Sequence, residues 1–297
     1  MSSRQLLRNF VRGRPCARPP LLVAAFYHAA RIDNVDFAAL LRDPTRLTRA
    51  LLDQQRLLGT DAVAVRFDVA LFAQAAGLDV DWSAAVPAVD WSRVAEATWP
   101  PPVSAVEAAA APLVDVVGRL TQELRRQVPV LTVLPGPVSL ARAGGGENTA
   151  EDDASAVLRE VADAACRAGA EAVLVEEAAA GWDDERMRER LAPITNTVAY
   201  YNAAAFVTAP KPPEGKLGDA VVLPACTAPG SVSDSLRVGF TVPVRCFEDD
   251  DALRAFAAGV AGRTAPAFLT ANDATLTSHP VERNVAVLSA LHDLTYG

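Results

Sequence analysis

A carboxylate closes the first half of the stretch DAVAVRFDVALFAQAAGLDV, residues 61 to 80: the apolar run from Ala62 to Phe67 ends in Asp68, and VALFAQAAGL then reads as a loop or helix stopped by Gly77. Val, Ala and Phe without polar alternation suit a strand buried on both faces, as in a parallel sheet. Barrel and doubly wound enzymes place their chemistry at the carboxyl ends of such strands. Asp68 is therefore the first candidate for acid–base work, with capping of the following segment as its plain structural alternative. Other strand-like runs end in reactive side chains too. LLVAAFYHAAR (21 to 31) carries Tyr27, His28 and Arg31, EAVLVEE (171 to 177) finishes in Glu176 and Glu177, and PAFLTAND (266 to 273) finishes in Asn272 and Asp273.

The elements that must position these groups follow from hydrophobic spacing. Leu6, Leu7, Phe10 and Val11 share one helical face, so residues 1 to 18 are expected to hold a short docking helix. Residues 37 to 60 show helical spacing broken near Asp43-Pro44 and stopped at Gly59. The segment 80 to 103, with Trp82, Trp91, Trp99 and Pro100-Pro101-Pro102, is too long and proline-rich for an ordinary connection and is expected to run over the mouth of the domain. A helix over about 103 to 126 leads to the stretch 128 to 141, a buried strand ending in the rigid turn Pro135-Gly136-Pro137, and a helix over 151 to 170 leads to the strand at 171 to 175. A helix over 183 to 201 follows, with Pro193 inside it. Strands are then expected at 203 to 209, 219 to 226, 236 to 244 and 266 to 273, with helices over 248 to 260 and 280 to 294. About eight buried strands alternating with helices imply parallel pairing and right-handed crossovers. The expected fold is a single α/β domain over residues 1 to 297, a (β/α)8 TIM-type barrel with shortened helices in its second half. An open doubly wound sheet is the alternative.

Hydrophobic residues make up 51% and charged residues 22%, which provides a sizeable core and excludes wholesale disorder. A net charge of -8 and no basic run argue against a nucleic-acid surface. No run is long and apolar enough for a membrane span. Only Lys211 and Lys216 are lysines, and alanine is heavily used, which points to a GC-rich bacterial source. Cys16, Cys166, Cys226 and Cys246 lie far apart without a CxxC pair, so free thiols in a reducing cytoplasm are expected. The GGGE loop at 144 to 147 lacks the Lys-Ser/Thr of a phosphate cradle and reads as an exposed linker.

Several segments resemble one family when taken together. These are the helix, Gly-basic-Pro and Arg-Pro-Pro order of residues 5 to 22, then DPTRLTRALLDQQRLLGTDAV, RFDVALFAQAAGLDVDW, VPVLTVLPGPVSLA and AGAEAVLVEEAAAGW. They are similar to the uroporphyrinogen decarboxylase superfamily, which includes the methylcobamide:thiol methyltransferases. The resemblance implies a TIM-type barrel with its site at the carboxyl ends of the strands. In decarboxylases, Met-Arg-Gln-Ala-Gly-Arg-Tyr after the first strand supplies arginines for substrate carboxylates. This chain reads Phe26-Tyr27-His28-Ala29-Ala30-Arg31-Ile32, so Arg31 alone keeps such a position. Arg66-Phe67-Asp68 matches the decarboxylase Phe-Ser-Asp, and Asp68 stands where an aspartate binds pyrrole nitrogens. Glu177 keeps the acid of Asp-Ser-Trp-Ala-Gly, without its serine and tryptophan. His279-Pro280-Val281-Glu282-Arg283-Asn284 aligns with the closing motif and puts Asn272 or Asp273 where decarboxylases carry histidine and methyltransferases cysteine.

The methyltransferase branch implies zinc held by a His-x-Cys pair and that later cysteine. Here Pro224 stands two before Cys226, and the later cysteine is absent; Cys226 and Cys246 are the only ligands the sequence offers if a metal is bound. Buried free thiols are the commoner fate. The expected activity is that of a cofactor-independent decarboxylase-like lyase. Arg31, Glu177 and Asn272 or Asp273 would bind a small carboxylate substrate, Asp68 would face a cationic or N–H centre, and His28 or Tyr27 would deliver a proton. The structural alternatives are a core position for His28, ion pairs from Arg31 to Asp33 or Asp36, and a capping role for Glu177. A methyl-group transferase and a catalytically silent ligand-binding barrel stay open as activities, and a homodimer as an assembly.

Overall fold

Val63–Arg66 forms β1, the centre of the pattern read above, and the computed structural model places it at one end of a parallel sheet in the order β1-β4-β5-β6-β7. The structure describes residues 1–83, 86–125, 127–146, 149–178, 184–209, 221–224, 238–263, 267–271 and 273–296. The remaining strands of this sheet are β4 (Val130–Pro135), β5 (Ala172–Glu176), β6 (Ala204–Ala209) and β7 (Val221–Pro224), while β2 (Val80–Asp81) and β3 (Ala88–Val89) pair separately and antiparallel. A second parallel pair joins β8 (Val238–Thr241) to β9 (Ala267–Thr270), and β7 touches β8. Register is continuous from Val63 opposite Val130 through Leu131 opposite Ala172 and Ala172 opposite Ala204 to Phe206 opposite Val221.

The helices are α1 (Ser3–Val11), α2 (His28–Ile32), α3 (Phe37–Leu41), α4 (Pro44–Leu58), α5 (Val69–Ala75), α6 (Val103–Glu123), α7 (Pro137–Ala143), α8 (Thr149–Ala168), α9 (Asp184–Tyr200), α10 (Asp250–Ala261), α11 (Asp273–Ser278) and α12 (Val281–His292). The break between α3 and α4 falls where Asp43 caps the backbone N–H groups of Thr45 and Arg46, with Pro44 at the first helical position. Gly59 ends α4 at φ 63°, a left-handed conformation open to glycine without penalty.

Strand side chains alternate between two apolar layers. Val63, Val65, Phe67, Val173, Val175 and Val207 pack with the helix faces of α4, α6 and α8. Ala62, Ala64, Leu131, Val133, Ala172, Leu174, Phe206 and Phe268 pack on the other side, and Leu6, Leu7 and Phe10 of α1 fill that layer. The expected docking helix thus covers this second layer, with Phe10 edge-on to Phe268.

One sequence expectation changes and two gain detail. The run 21 to 31 is not a full strand. Leu21 makes a single parallel bridge with Leu269, Leu22 and Ala24 donate to Leu269 and Ala271, and Leu21 accepts from Asp61 at 2.8 Å, after which α2 begins at His28. This segment connects β9 to the start of β1. The strand read in 128 to 141 ends at the expected Pro135-Gly136-Pro137 turn, and Gly136 and Pro137 there start α7. Finally, the segment 80 to 103 carries the β2/β3 hairpin and a 3-10 turn over Trp91–Glu96, and Trp99 anchors it by donating to Leu140 and Ala141 carbonyls. Cys16, Cys166 and Cys246 are free and buried; Cys226 lies outside the described residues. No helix among the described residues is long and apolar enough to cross a membrane.

Candidate active site

The alternation that packs Ala62 and Ala64 against α1 brings Arg66, the last residue of β1, to the same side, and the one that packs Ala172 and Leu174 brings Glu176 there. These two side chains meet in a bidentate ion pair, Nη1 to Oε2 at 2.5 Å and Nη2 to Oε1 at 3.1 Å. Arg66 Nη2 also donates to the Ala24 carbonyl at 3.3 Å, and Arg66 Nε stands 3.5 Å from Asp273 Oδ2. Asp273 in turn accepts at Oδ1 from the backbone N–H groups of Phe26, at 2.6 Å, and His28, at 3.2 Å. One buried arginine thereby joins β1, β5, the start of α2 and the start of α11.

Charge in this cluster is uneven. Burial opposes the Arg66 charge, but Glu176 and Asp273 outweigh it, so the guanidinium stays protonated beyond its ordinary range. Burial pushes the Asp273 carboxyl up to about 6 against the opposing pull of Arg66 and its two backbone donors. Asp273 Oδ2 and Arg66 Nε make no hydrogen bond of normal geometry.

Above the cluster lies a hollow of about 190 Å³. Phe26, Leu41, Leu71, Trp82, Pro112 and Leu113 supply apolar wall; Tyr27, Arg42, Arg66 and Asp68 supply the functional groups. Asp68 does what its position allowed on both readings: it caps α5 by accepting from Ala70 N–H at 2.9 Å, and it lines the hollow. The Tyr27 hydroxyl is buried beside the Asp68 carboxylate and makes no hydrogen bond of normal geometry. Burial first, then the neighbouring Asp68 carboxylate, raises the Tyr27 pKa well above its ordinary value, so the phenol keeps its proton.

The other expected site residues go elsewhere. His28 is fully buried, its Nε2 paired with Asn284 Nδ2 at 3.1 Å, and burial followed by the Arg31 charge pushes its pKa down to about 4. Arg31 pairs with neither Asp33 nor Asp36; its Nη1 donates to the carbonyls of Leu276, Thr277 and His279 and so holds the end of α11. Glu177 follows Val175 on the helix side of the sheet. There its carboxylate accepts from Val138 N–H at 3.0 Å, Ser139 N–H at 3.3 Å and the Ser139 hydroxyl, which caps α7. The expectation that residues 31, 68 and 177 share one hollow is therefore corrected: Asp68 and Tyr27 share it with Arg66 and Arg42, and Asp273 stands behind Arg66. Asn272 lies outside the described residues. Period-two counting along the strand ends, from Ala64 to Arg66 and from Leu174 to Glu176, was the signal for the pair missed in sequence.

Among the described residues, which exclude Cys226 and Asn272, the donor set does not make up the zinc site that the methyltransferase branch implies. No group of three or more His, Cys, Asp or Glu among the described residues could hold a metal ion. Burial raises the Cys246 pKa, and its thiol donates to the Ala252 carbonyl rather than standing ready as a thiolate. Asp273, at the position of the later cysteine in one register, is occupied by two backbone N–H groups and Arg66.

A solved methyltransferase from Methanosarcina mazei shares the fold over 99% of this chain and 98% of its own, with a TM-score of 0.70 and 14% sequence identity. No curated protein matches the sequence. The uroporphyrinogen decarboxylase (URO-D) family model matches residues 2–199, and the chain belongs to that family.

Proposed function

We propose that the protein is a cofactor-independent, decarboxylase-like lyase for a small carboxylate-bearing substrate, working at the carboxyl rim of a closed (β/α)8 barrel. The observation that carries this reading is the Tyr27 phenol, held protonated beside the Asp68 carboxylate in one apolar-walled hollow. Decarboxylation needs a proton at the carbon that loses CO₂ and a counter-charge for the cation formed on the way. Tyr27 would deliver the proton, against the raised pKa that holds it there, and regain it from water, with Asp68 facing the electron-poor centre. The C–C bond to the carboxylate then breaks, its electron pair neutralises the cation, and CO₂ leaves. Low dielectric in the hollow strengthens each of these interactions.

A hollow of about 190 Å³ is below the roughly 300–1,000 Å³ of sites for drug-sized ligands, which favours a substrate much smaller than a porphyrinogen. Incubation with single-ring carboxylic acids, with CO₂ release followed directly, tests the reading; release above the uncatalysed rate supports it and none from any such acid contradicts it. Methyl transfer is the second reading, favoured by the shared fold of the Methanosarcina methyltransferase. Stoichiometric zinc in purified protein would support that alternative.

A further inference from the structure

We infer that the groove between α1 and the loops leading into β5 and β6 is a second ligand site, and that it takes a small molecule bearing a phosphate dianion. Arg4, Arg8 and Arg12 line the groove from α1, and Glu171, Asn202 and Ala203 line it from the strand starts. Its volume is about 480 Å³, against about 190 Å³ for the hollow, and falls within the roughly 300–1,000 Å³ of small-molecule sites. Glu171 and Ala203 immediately precede β5 and β6, whereas Arg66 and Asp68 of the hollow stand at the carboxyl end of β1. The groove and the hollow therefore lie at opposite ends of the parallel strands, and the groove plays no part in the chemistry proposed above.

Charge selects the ligand. The whole chain carries -8, yet its first eighteen residues hold five arginines and no acid. Arg18 is spent on Asp61, and Arg4 on Glu171, the one carboxylate that lines the groove. Arg8 and Arg12 form no ion pair among the described residues. The carbonyl end of α1 carries only about half a negative charge, so most of their charge stays uncompensated. They stand four residues apart on one face of α1, which sets their Cβ atoms roughly 5–6 Å apart, while Leu6 and Phe10 anchor the helix in the layer beneath. Two guanidiniums at that spacing match a phosphate, with up to two negative charges and three acceptor oxygens; a carboxylate, with one charge and two oxygens, saturates only one of them. Leu7, Val11 and Tyr201 supply apolar wall for the body of the ligand, and the exposed Asn202 adds an amide donor beside it.

Calorimetric titration of the whole protein at about pH 8 tests this with three probes: phenyl phosphate, a dianion there; phenyl sulfate, its singly charged isostere; and inorganic phosphate. Phenyl phosphate is expected to bind about tenfold or more tighter than phenyl sulfate. Inorganic phosphate bound as tightly as phenyl phosphate would support the site with free phosphate as its occupant, and weaker binding would support it with an organic phosphate. Arg8→Gln and Arg12→Gln should each weaken phenyl phosphate about tenfold, as loss of a charge-assisted contact does, and the lysine variants should lose less. Arg14→Gln, exposed and outside the groove, should change the affinity by less than about twofold, and Asp68→Asn should leave it intact. No binding of phenyl phosphate, equal affinity for phenyl sulfate, or an affinity untouched by both Arg8→Gln and Arg12→Gln would each overturn the inference. Loss of binding in Asp68→Asn would overturn it too, by moving the ligand to the hollow.

Discussion

Two buried titratable groups lie side by side in the chain's spatial order and respond to acid in opposite senses. Asp273 titrates near 6 in the fold against 3.8 for a free side chain, so the folded form binds more protons between those values and stability falls as pH rises from about 4 to 6. His28 titrates near 4 against 6.5, so the folded form binds fewer protons and stability rises over that interval. Each shift is on the order of 3 kcal/mol, and the two offset. Asp273→Asn should expose the His28 effect, giving a protein that loses stability between pH 6.5 and 4 more steeply than its parent. His28→Gln should do the reverse. Urea denaturation across that range reads both, and parallel pH profiles for parent and variants would contradict the assignment. At the same scale, Asp68→Asn keeps an acceptor for Ala70 N–H and should cost no more than about 1 kcal/mol in stability. Its effect should fall on turnover.

Elements decide which carboxylate can reach the hollow. Glu176 and Glu177 are neighbours in sequence, yet β5 sends one to Arg66 and the other to the start of α7. Gly136 is required at that contact, since a Cβ there would collide with the Glu177 carboxylate and backbone. Glu177→Ala leaves Val138 and Ser139 N–H groups without their acceptor and should cost about 1–3 kcal/mol, while the affinity for ring acids stays the same. A large loss of affinity at unchanged stability would return Glu177 to the site. Sequence periodicity made most elements legible, because burial of one face imposes it: α4, α6, α8 and the strands β4, β5 and β6 lie where spacing put them. Arg31 and Glu177 were misplaced because family registers name positions, whereas strand parity and remote carbonyls decide direction. Asp273 capping Phe26 and His28 spans more than 240 residues of chain and leaves no local trace.

At the scale of the whole molecule, α1 packs on the apolar layer of Ala64, Leu131 and Leu174, and Arg4 N–H donates to the Gln127 carbonyl before β4, away from the strand ends that carry Arg66 and Glu176. Arg18 and Ser3 both reach the buried Asp61 carboxylate, which also accepts from Leu21 N–H at 2.9 Å, so the N-terminal segment is tied to the entry of β1. Phe10 is fully buried between Phe206 and Phe268. Phe10→Ala should therefore cost about 3–5 kcal/mol, measured by denaturant unfolding, although Phe10 is remote from the hollow. A loss under about 1 kcal/mol would mean that α1 only rests on the surface. The measurement that bears most directly on the central claim is release of labelled CO₂ from carboxyl-labelled pyrrole-2-carboxylate, compared between the parent protein and Asp68→Asn at matched folded fraction. Release by the parent and a loss of about a hundredfold or more in the variant are expected. Equal rates in the two proteins would contradict it.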